Sequence, residues 1–179
     1  MLTRLHKHAG FSLIELCVGL VVVGILMGLA IPGMRTWLQN SQLRSTAESV
    51  QNGLQLARAE AVRRNAFVTY TQSGAGWIVT SGGTTLQTGT TEAAGTATVT
   101  QSPNPIDSTT TQDTVTFTGV GWVTPVPSSD IKFDVANSNG GQCVASGGSM
   151  RCLRVTVSAG GQNRMCDPAA ASSTAAVCP

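Results

Sequence analysis

The sequence predicts an α+β chain: one long N-terminal helix, kinked near its middle, packed on antiparallel β-sheets. Two changes of period carry this reading. From Leu13 to about Arg64 the chain is first continuously apolar and then amphipathic with helical spacing; from Phe67 the apolar residues recur every second position, with glycine pairs between the runs. A third observation narrows the function. Only 11% of the 179 residues are charged, and the two histidines, His6 and His8, both precede the first apolar run. If that leader is removed, no histidine remains for a catalytic triad or a His-ligated metal, so an enzyme is not expected.

Residues 1–10 are short, basic and end in Gly10. The nineteen residues from Leu13 to Ile31 carry one charge, Glu15, and their length suits a single helical span of a ~30 Å hydrocarbon core. Arg4 and Lys7 come before it, which keeps the leader cytoplasmic and exports the rest. An ordinary secretory signal fits poorly, because Ile31-Pro32-Gly33-Met34 follows the run instead of a small-x-small cleavage site. Glu15 is the most informative residue. A carboxylate inside the bilayer costs about 2.5–3.5 kcal/mol and needs a partner. Cleavage after Gly10 supplies one of the right sign, the α-amine of Phe11, four residues away.

Gly10-Phe11-Ser12-Leu13-Ile14-Glu15-Leu16 resembles the class III signal of type IV pilins and pseudopilins. The resemblance implies cleavage after Gly10 by a prepilin peptidase, methylation of Phe11, retention of the apolar helix, and pairing of Glu15 with a neighbouring subunit's N-terminus during assembly.

Within the span, Gly24 and Gly28 are four residues apart, a spacing that permits close helix approach in lipid, and Cys17 reads as a buried free thiol. Pro32 lacks an N–H and clashes with the preceding turn, so a kink or local melting is expected there. Beyond it, Leu43, Ala47, Val50, Leu54, Ala57 and Ala61 follow a 3-4 spacing that marks one apolar face. At ~1.5 Å per residue this helix is roughly 75–80 Å long, more than a head domain needs. In the head, Val68/Tyr70, Val115/Phe117, Ile131/Phe133/Val135 and Leu153/Val155/Val157 read as half-buried strands, and Gly74–Gly76, Gly82-Gly83, Gly140-Gly141, Gly147-Gly148 and Gly160-Gly161 as turns. The expected organisation is a leader 1–10, an assembly helix half 11–32, an amphipathic half 33–66 and a β-rich periplasmic head 67–179.

The head carries a second resemblance. Leu56-Ala57-Arg58-Ala59-Glu60-Ala61-Val62-Arg63-Arg64-Asn65, then Gly76-Trp77-Ile78-Val79, Val115-Thr116-Phe117 and Val155-Thr156-Val157 before Gly160-Gly161, are similar to segments of the FimT/FimU–GspH family of minor pilins and pseudopilins. The implied fold is the type IV pilin fold.

Four cysteines, Cys143, Cys152, Cys166 and Cys178, lie in the exported part. An even count in an oxidising compartment reads as two disulfides with three possible connectivities; with no C-x-x-C and no histidine, zinc is the poorer reading. Pairing neighbours gives Cys143–Cys152 across a Gly-rich hairpin and Cys166–Cys178 closing the tail. A closed C-terminal loop also resembles the pilus-associated members of the family.

Loss of Arg4 and Lys7 leaves nine Lys and Arg against nine Asp and Glu. The positive charge gathers at the helix end (Arg58, Arg63, Arg64) and toward the C-terminus (Arg151, Arg154, Arg164), and arginines so clustered grip phosphates or form a solvated face. Gly161-Gln162-Asn163-Arg164 is similar to the Gly-Arg-x-Arg motif to which DNA binding is attributed in uptake pilins of the FimT type, with Gln162 in place of the first arginine. The expected function is therefore a minor type IV pilin that enters, primes or tips the pilus fibre, against a DNA-binding pilin for transformation and a type II secretion pseudopilin. No cofactor is expected. The partners implied are major and minor pilins, the prepilin peptidase and an inner-membrane assembly platform, with DNA as a candidate ligand. The chain would be anchored in the inner membrane with its head in the periplasm before joining a surface fibre.

Overall fold

A computed structural model describes residues 12–90, 97–101, 113–137, 141–170 and 178, the side chains of 29–33 and 35 excepted. The leader, Gly10 and Phe11 lie outside the described residues. Residues up to Trp37 and residues from Leu38 onward form two compact units, taken in turn below.

Helix α1 (Leu13–Arg64) is the only α-helix among the described residues. Ser12 caps it: the Glu15 backbone N–H donates to the Ser12 Oγ at 3.3 Å, the Ser-x-x-Glu pattern of a capping box. The helix runs unbroken through Pro32, so the proline does not melt it; one missing N–H is a small loss in 52 residues of helix. The Pro32 side chain, and with it the kink expected there, lies outside the described side chains. At the other end Asn65 adopts a left-handed φ of 48°. The Asn65 and Ala66 N–H groups then close on the Val62 and Ala61 carbonyls at 3.3 and 3.2 Å, which is a Schellman stop.

In the second unit, β1 (Val68–Ser73), β2 (Gly76–Ser81), β3 (Thr84–Gly89), β5 (Thr114–Phe117) and β6 (Val123–Thr124) form one antiparallel sheet in the order β3-β2-β1-β5-β6. A second antiparallel sheet has β4 (Ala97–Gln101), β7 (Ile131–Asn137), β8 (Leu153–Val157) and β9 (Asn163–Cys166) in the order β4-β7-β8-β9. Leu43, Ala47, Val50, Leu54, Ala57 and Ala61 are all buried in one core with the inward residues of both sheets. The amphipathic spacing therefore does what periodicity predicts: it lays one helix face over sheet.

Aromatics join the layers. Tyr70 on β1 meets Phe133 on β7 edge-on with ring centroids 5.8 Å apart, and Trp77 on β2 at 6.1 Å. A Cβ at Gly53 would come within 2.7 Å of the Trp77 ring, so glycine there lets the helix rest on the indole. The Trp77 N–H donates to Ser49 Oγ at 3.1 Å. The Tyr70 hydroxyl donates to Gln72 Oε1, while Gln72 Nε2 donates to the Gly74 and Gly76 carbonyls at 2.8 and 2.9 Å and pins the β1–β2 turn.

Burial, helped by the charge of Asp113, pushes the Tyr70 phenol above the usual tyrosine range. A group whose folded pKa is raised stabilises the fold fully below its unfolded value, about 10, and loses that contribution as pH rises beyond it. Tyr70 is the single tyrosine, so phenolate absorbance reports it alone. We expect that signal to rise only together with loss of the circular dichroism of the fold; ionisation near pH 10 in a folded head would contradict the burial.

Candidate functional site

The assembly surface begins at the stem. Leu13, Ile14, Leu16, Val18, Leu20, Ile25, Leu26 and Met27 are more than half exposed, an apolar surface far beyond what a soluble helix shows to water. Glu15 and Cys17 are exposed along with it, and Cys17 is a free thiol, as expected. A Cβ at Gly24 or Gly28 would meet nothing within 4 Å, which leaves both flat positions open to a neighbour. Among the described residues no helix is long and apolar enough to cross a membrane. The run Leu13–Ile31 extends past them, since the side chains of 29–33 lie outside the described set. The N-cap role of Ser12 was not anticipated; the Ser-x-x-Glu spacing was its signal.

The C-terminal arginines come out differently from the expectation. Strand register sets Arg154 on β8 directly opposite Asp134 on β7. Its Nε and Nη2 donate to the two Asp134 oxygens at 2.6 and 3.1 Å, a bidentate pair that neutralises it. Arg151 is exposed, with its Nε 4.0 Å from the Asp167 carboxylate. Arg164 on β9 is exposed and opposite Thr156, which is in turn opposite Lys132 on β7. Alternation along the strands puts Lys132, Thr156 and Arg164 in one row on one sheet face. Arg151, Arg154 and Arg164 thus do not make one free cationic patch, because acids on neighbouring segments take two of them. Lys132 was missed: it is remote in sequence, and only register brings it to Arg164.

Gly161 has a structural reason to be glycine. Its φ is +74°, and a Cβ there would stand 2.0 Å from the Gly121 carbonyl oxygen. Gly121, at φ +81°, is itself held by Arg58, whose Nε donates to its carbonyl at 3.2 Å. Two turns and the end of α1 interlock at this point. Nearby on α1, Arg63 and Arg64 both bind the Glu60 carboxylate, at 2.6 and 2.7 Å. Their hydrogen bonds, that of Arg63 first, hold the Glu60 carboxyl down at about 2. Its contribution is present above the ordinary carboxylate range and is lost as pH falls through that value.

Cys143 is bonded to Cys152 and Cys166 to Cys178. The first loop is not a β-hairpin as expected. It holds a 3₁₀ turn, Val144–Ser146, and a single parallel bridge between Cys143 and Met150, since Gly147 takes a left-handed φ of 85° and turns the chain before strands can pair. Cys166 ends β9, so the second bond ties residue 178 to the edge of the second sheet.

Comparison with known proteins places these features. The prokaryotic N-terminal methylation motif matches residues 5–31, and the family of the type II transport protein GspH matches residues 46–161. The crystal structure of the type IV minor pilin FimU of Pseudomonas aeruginosa superposes with a TM-score of 0.54 at 19% identity, covering 72% of this chain and 91% of that one. That similarity shows the shared α+β pilin fold. A second crystal form of FimU gives 0.49 at 20% identity, over 68% and 90% of the two chains. The solution structure of E. coli GspH gives 0.47 at 19% identity, over 70% and 88%. No curated protein matches the chain. With its family match spanning well over half of the residues, behind a methylation motif at the N-terminus, the chain belongs to the GspH family of minor pilins and pseudopilins, a structural family and not a catalytic one.

Proposed function

We propose that the chain is a minor type IV pilin, processed after Gly10, held by its N-terminal helix in the inner membrane and then incorporated in the pilus fibre, where it primes assembly or forms part of the tip. The observation that carries the pilus reading over a secretion pseudopilus is the Cys166–Cys178 bond, the closed C-terminal loop that resembles pilus-associated members of the family. Glu15 serves assembly by meeting a neighbouring N-terminus, and the exposed apolar stem packs among other subunits. A clean deletion scored for surface pili, protein secretion and transformation tests this. Loss of pili with secretion intact is expected; loss of secretion with pili intact would make the chain a type II secretion pseudopilin.

The DNA-binding alternative rests on the Lys132–Arg164 row, the cations of the second sheet that no acid pairs among the described residues. Two phosphate contacts give a log–log salt slope of about −1.8 on duplex DNA. Arginine and lysine without stacked aromatics read no bases, so binding would be indifferent to sequence. The expected result for the full chain in detergent is a dissociation constant of about 10 µM or weaker at physiological salt. Gln162→Arg would add about one unit of slope if Gly161–Arg164 acts as the uptake motif. No binding by either form would leave the purely structural role.

A further inference from the structure

The stem is bare on every side and ends in a single aromatic residue. Val21 to Met27 are seven consecutive positions, nearly two turns of helix, and every large side chain among them is at least 46% exposed. A helix that is apolar all round, and not along one stripe, suits surroundings of hydrocarbon better than a single packed neighbour. The apolar character then stops abruptly. Met34, Trp37 and Leu38 are the last exposed large apolar residues before a polar run, Gln39, Asn40, Ser41 and Gln42, and Trp37 is 68% exposed. Arg35 is the first charge after Glu15. The Trp37 indole N–H has no partner among the described residues. Tryptophan beside arginine at the end of an apolar run suits the layer between lipid chains and water, where the ring lies on the chains and the N–H reaches the headgroups. Length agrees with this placement. From Leu13 to Trp37 the helix rises about 36 Å, more than the ~30 Å hydrocarbon core and less than the ~40–45 Å of a bilayer with its headgroups.

We propose that Trp37 anchors the unassembled chain in the phospholipid headgroup layer on the exported side of the membrane, and that it is the positioning residue that sets the depth of Glu15. Twenty-two residues of unbroken helix, about 33 Å, separate the two. With Trp37 held in the outer headgroups, Glu15 lies near the inner boundary of the hydrocarbon, on the side where the leader is cut. The anchor thus presents the acid at a fixed level to the N-terminus of the next subunit. The inference rests on the membrane-held state proposed above and goes beyond it in fixing the depth of the stem.

The test is the full chain reconstituted in phosphatidylcholine vesicles whose acyl chains carry bromine either close to the headgroups or close to the chain ends. The emission that differs between wild type and Trp37→Leu belongs to Trp37, because Trp77 and Trp122 are present in both. Shallow bromine should quench that share at least about twofold more than deep bromine. Cys17 reads the other end of the stem, since it is the one free cysteine. Adding Met34→Trp to Trp37→Leu moves the anchor back by three residues. That shift should draw Cys17 about 4.5 Å farther into the hydrocarbon and slow its alkylation by a water-soluble maleimide severalfold. Quenching as strong or stronger from deep bromine, no quenching in a chain that floats with the vesicles, or an unchanged Cys17 rate would each overturn the proposal. A chain that does not float with the vesicles would overturn the membrane-held state together with it.

Discussion

A Gly161→Ala chain is expected to lose about 3 kcal/mol of the stability of its head. The substitution meets two independent penalties at one atom. The backbone φ of +74° is a conformation that a Cβ disfavours, at a cost of about 1–2 kcal/mol. The new methyl would also sit 2.0 Å from the Gly121 carbonyl oxygen, which is backbone and cannot rotate away. Overpacking of this kind adds about 1–3 kcal/mol. Together they remove about 3 kcal/mol or more from a fold of ordinary stability, about 5–15 kcal/mol. Thermal unfolding of wild type and variant measures it. Gln162→Arg, one residue along on an exposed position, should leave the midpoint unchanged. A Gly161→Ala head as stable as wild type would mean that the interlocked turns at Arg58 do not hold the head together.

The larger effect is on processing. A Gly10→Val chain should remain at precursor length and yield no mature protein, because a peptidase that cuts after glycine must fit a branched side chain where none belongs. Glu15→Ala should behave differently. Removing a carboxylate that costs about 2.5–3.5 kcal/mol in the bilayer leaves membrane insertion at least as favourable. Cleavage should proceed and assembly should fail, with mature chain accumulating in the membrane fraction and absent from sheared fibres. Immunoblots of membrane and fibre fractions separate the two outcomes. Normal fibre levels for Glu15→Ala would dismiss the pairing of this acid with a neighbouring N-terminus. The Ser12 cap sharpens the contrast: the Glu15 backbone N–H is bound whatever the side chain, so the substitution does not unravel the first turn.

Much of this fold was legible in the sequence because its signals are local. The six core positions from Leu43 to Ala61 repeat at helical spacing, and Val68/Tyr70 or Ile131/Phe133/Val135 alternate against polar neighbours. Strands β3 and β4 escaped because Thr-Thr-Leu-Gln-Thr-Gly and Ala-Thr-Val-Thr-Gln hold too few large apolar residues to show a period, although β4 does alternate between buried and exposed. What could not be read was anything set by strand register. Arg154 and Asp134 are twenty residues apart, and Lys132 and Arg164 farther still, so whether an arginine is free or neutralised was decided by pairing in the second sheet. The close approach of Gly121 to Val62 is likewise invisible in order along the chain, since it forms only when the β5–β6 turn closes on the helix end.

The central claim is that this is a processed, disulfide-closed pilin subunit, and intact mass with peptide mapping of the chain isolated from sheared fibres tests it most directly. The account predicts an N-terminal methylated Phe11, with Cys143–Cys152 and Cys166–Cys178 peptides recovered under non-reducing conditions. An N-terminus at any other residue, or a Cys143–Cys178 peptide, would contradict it.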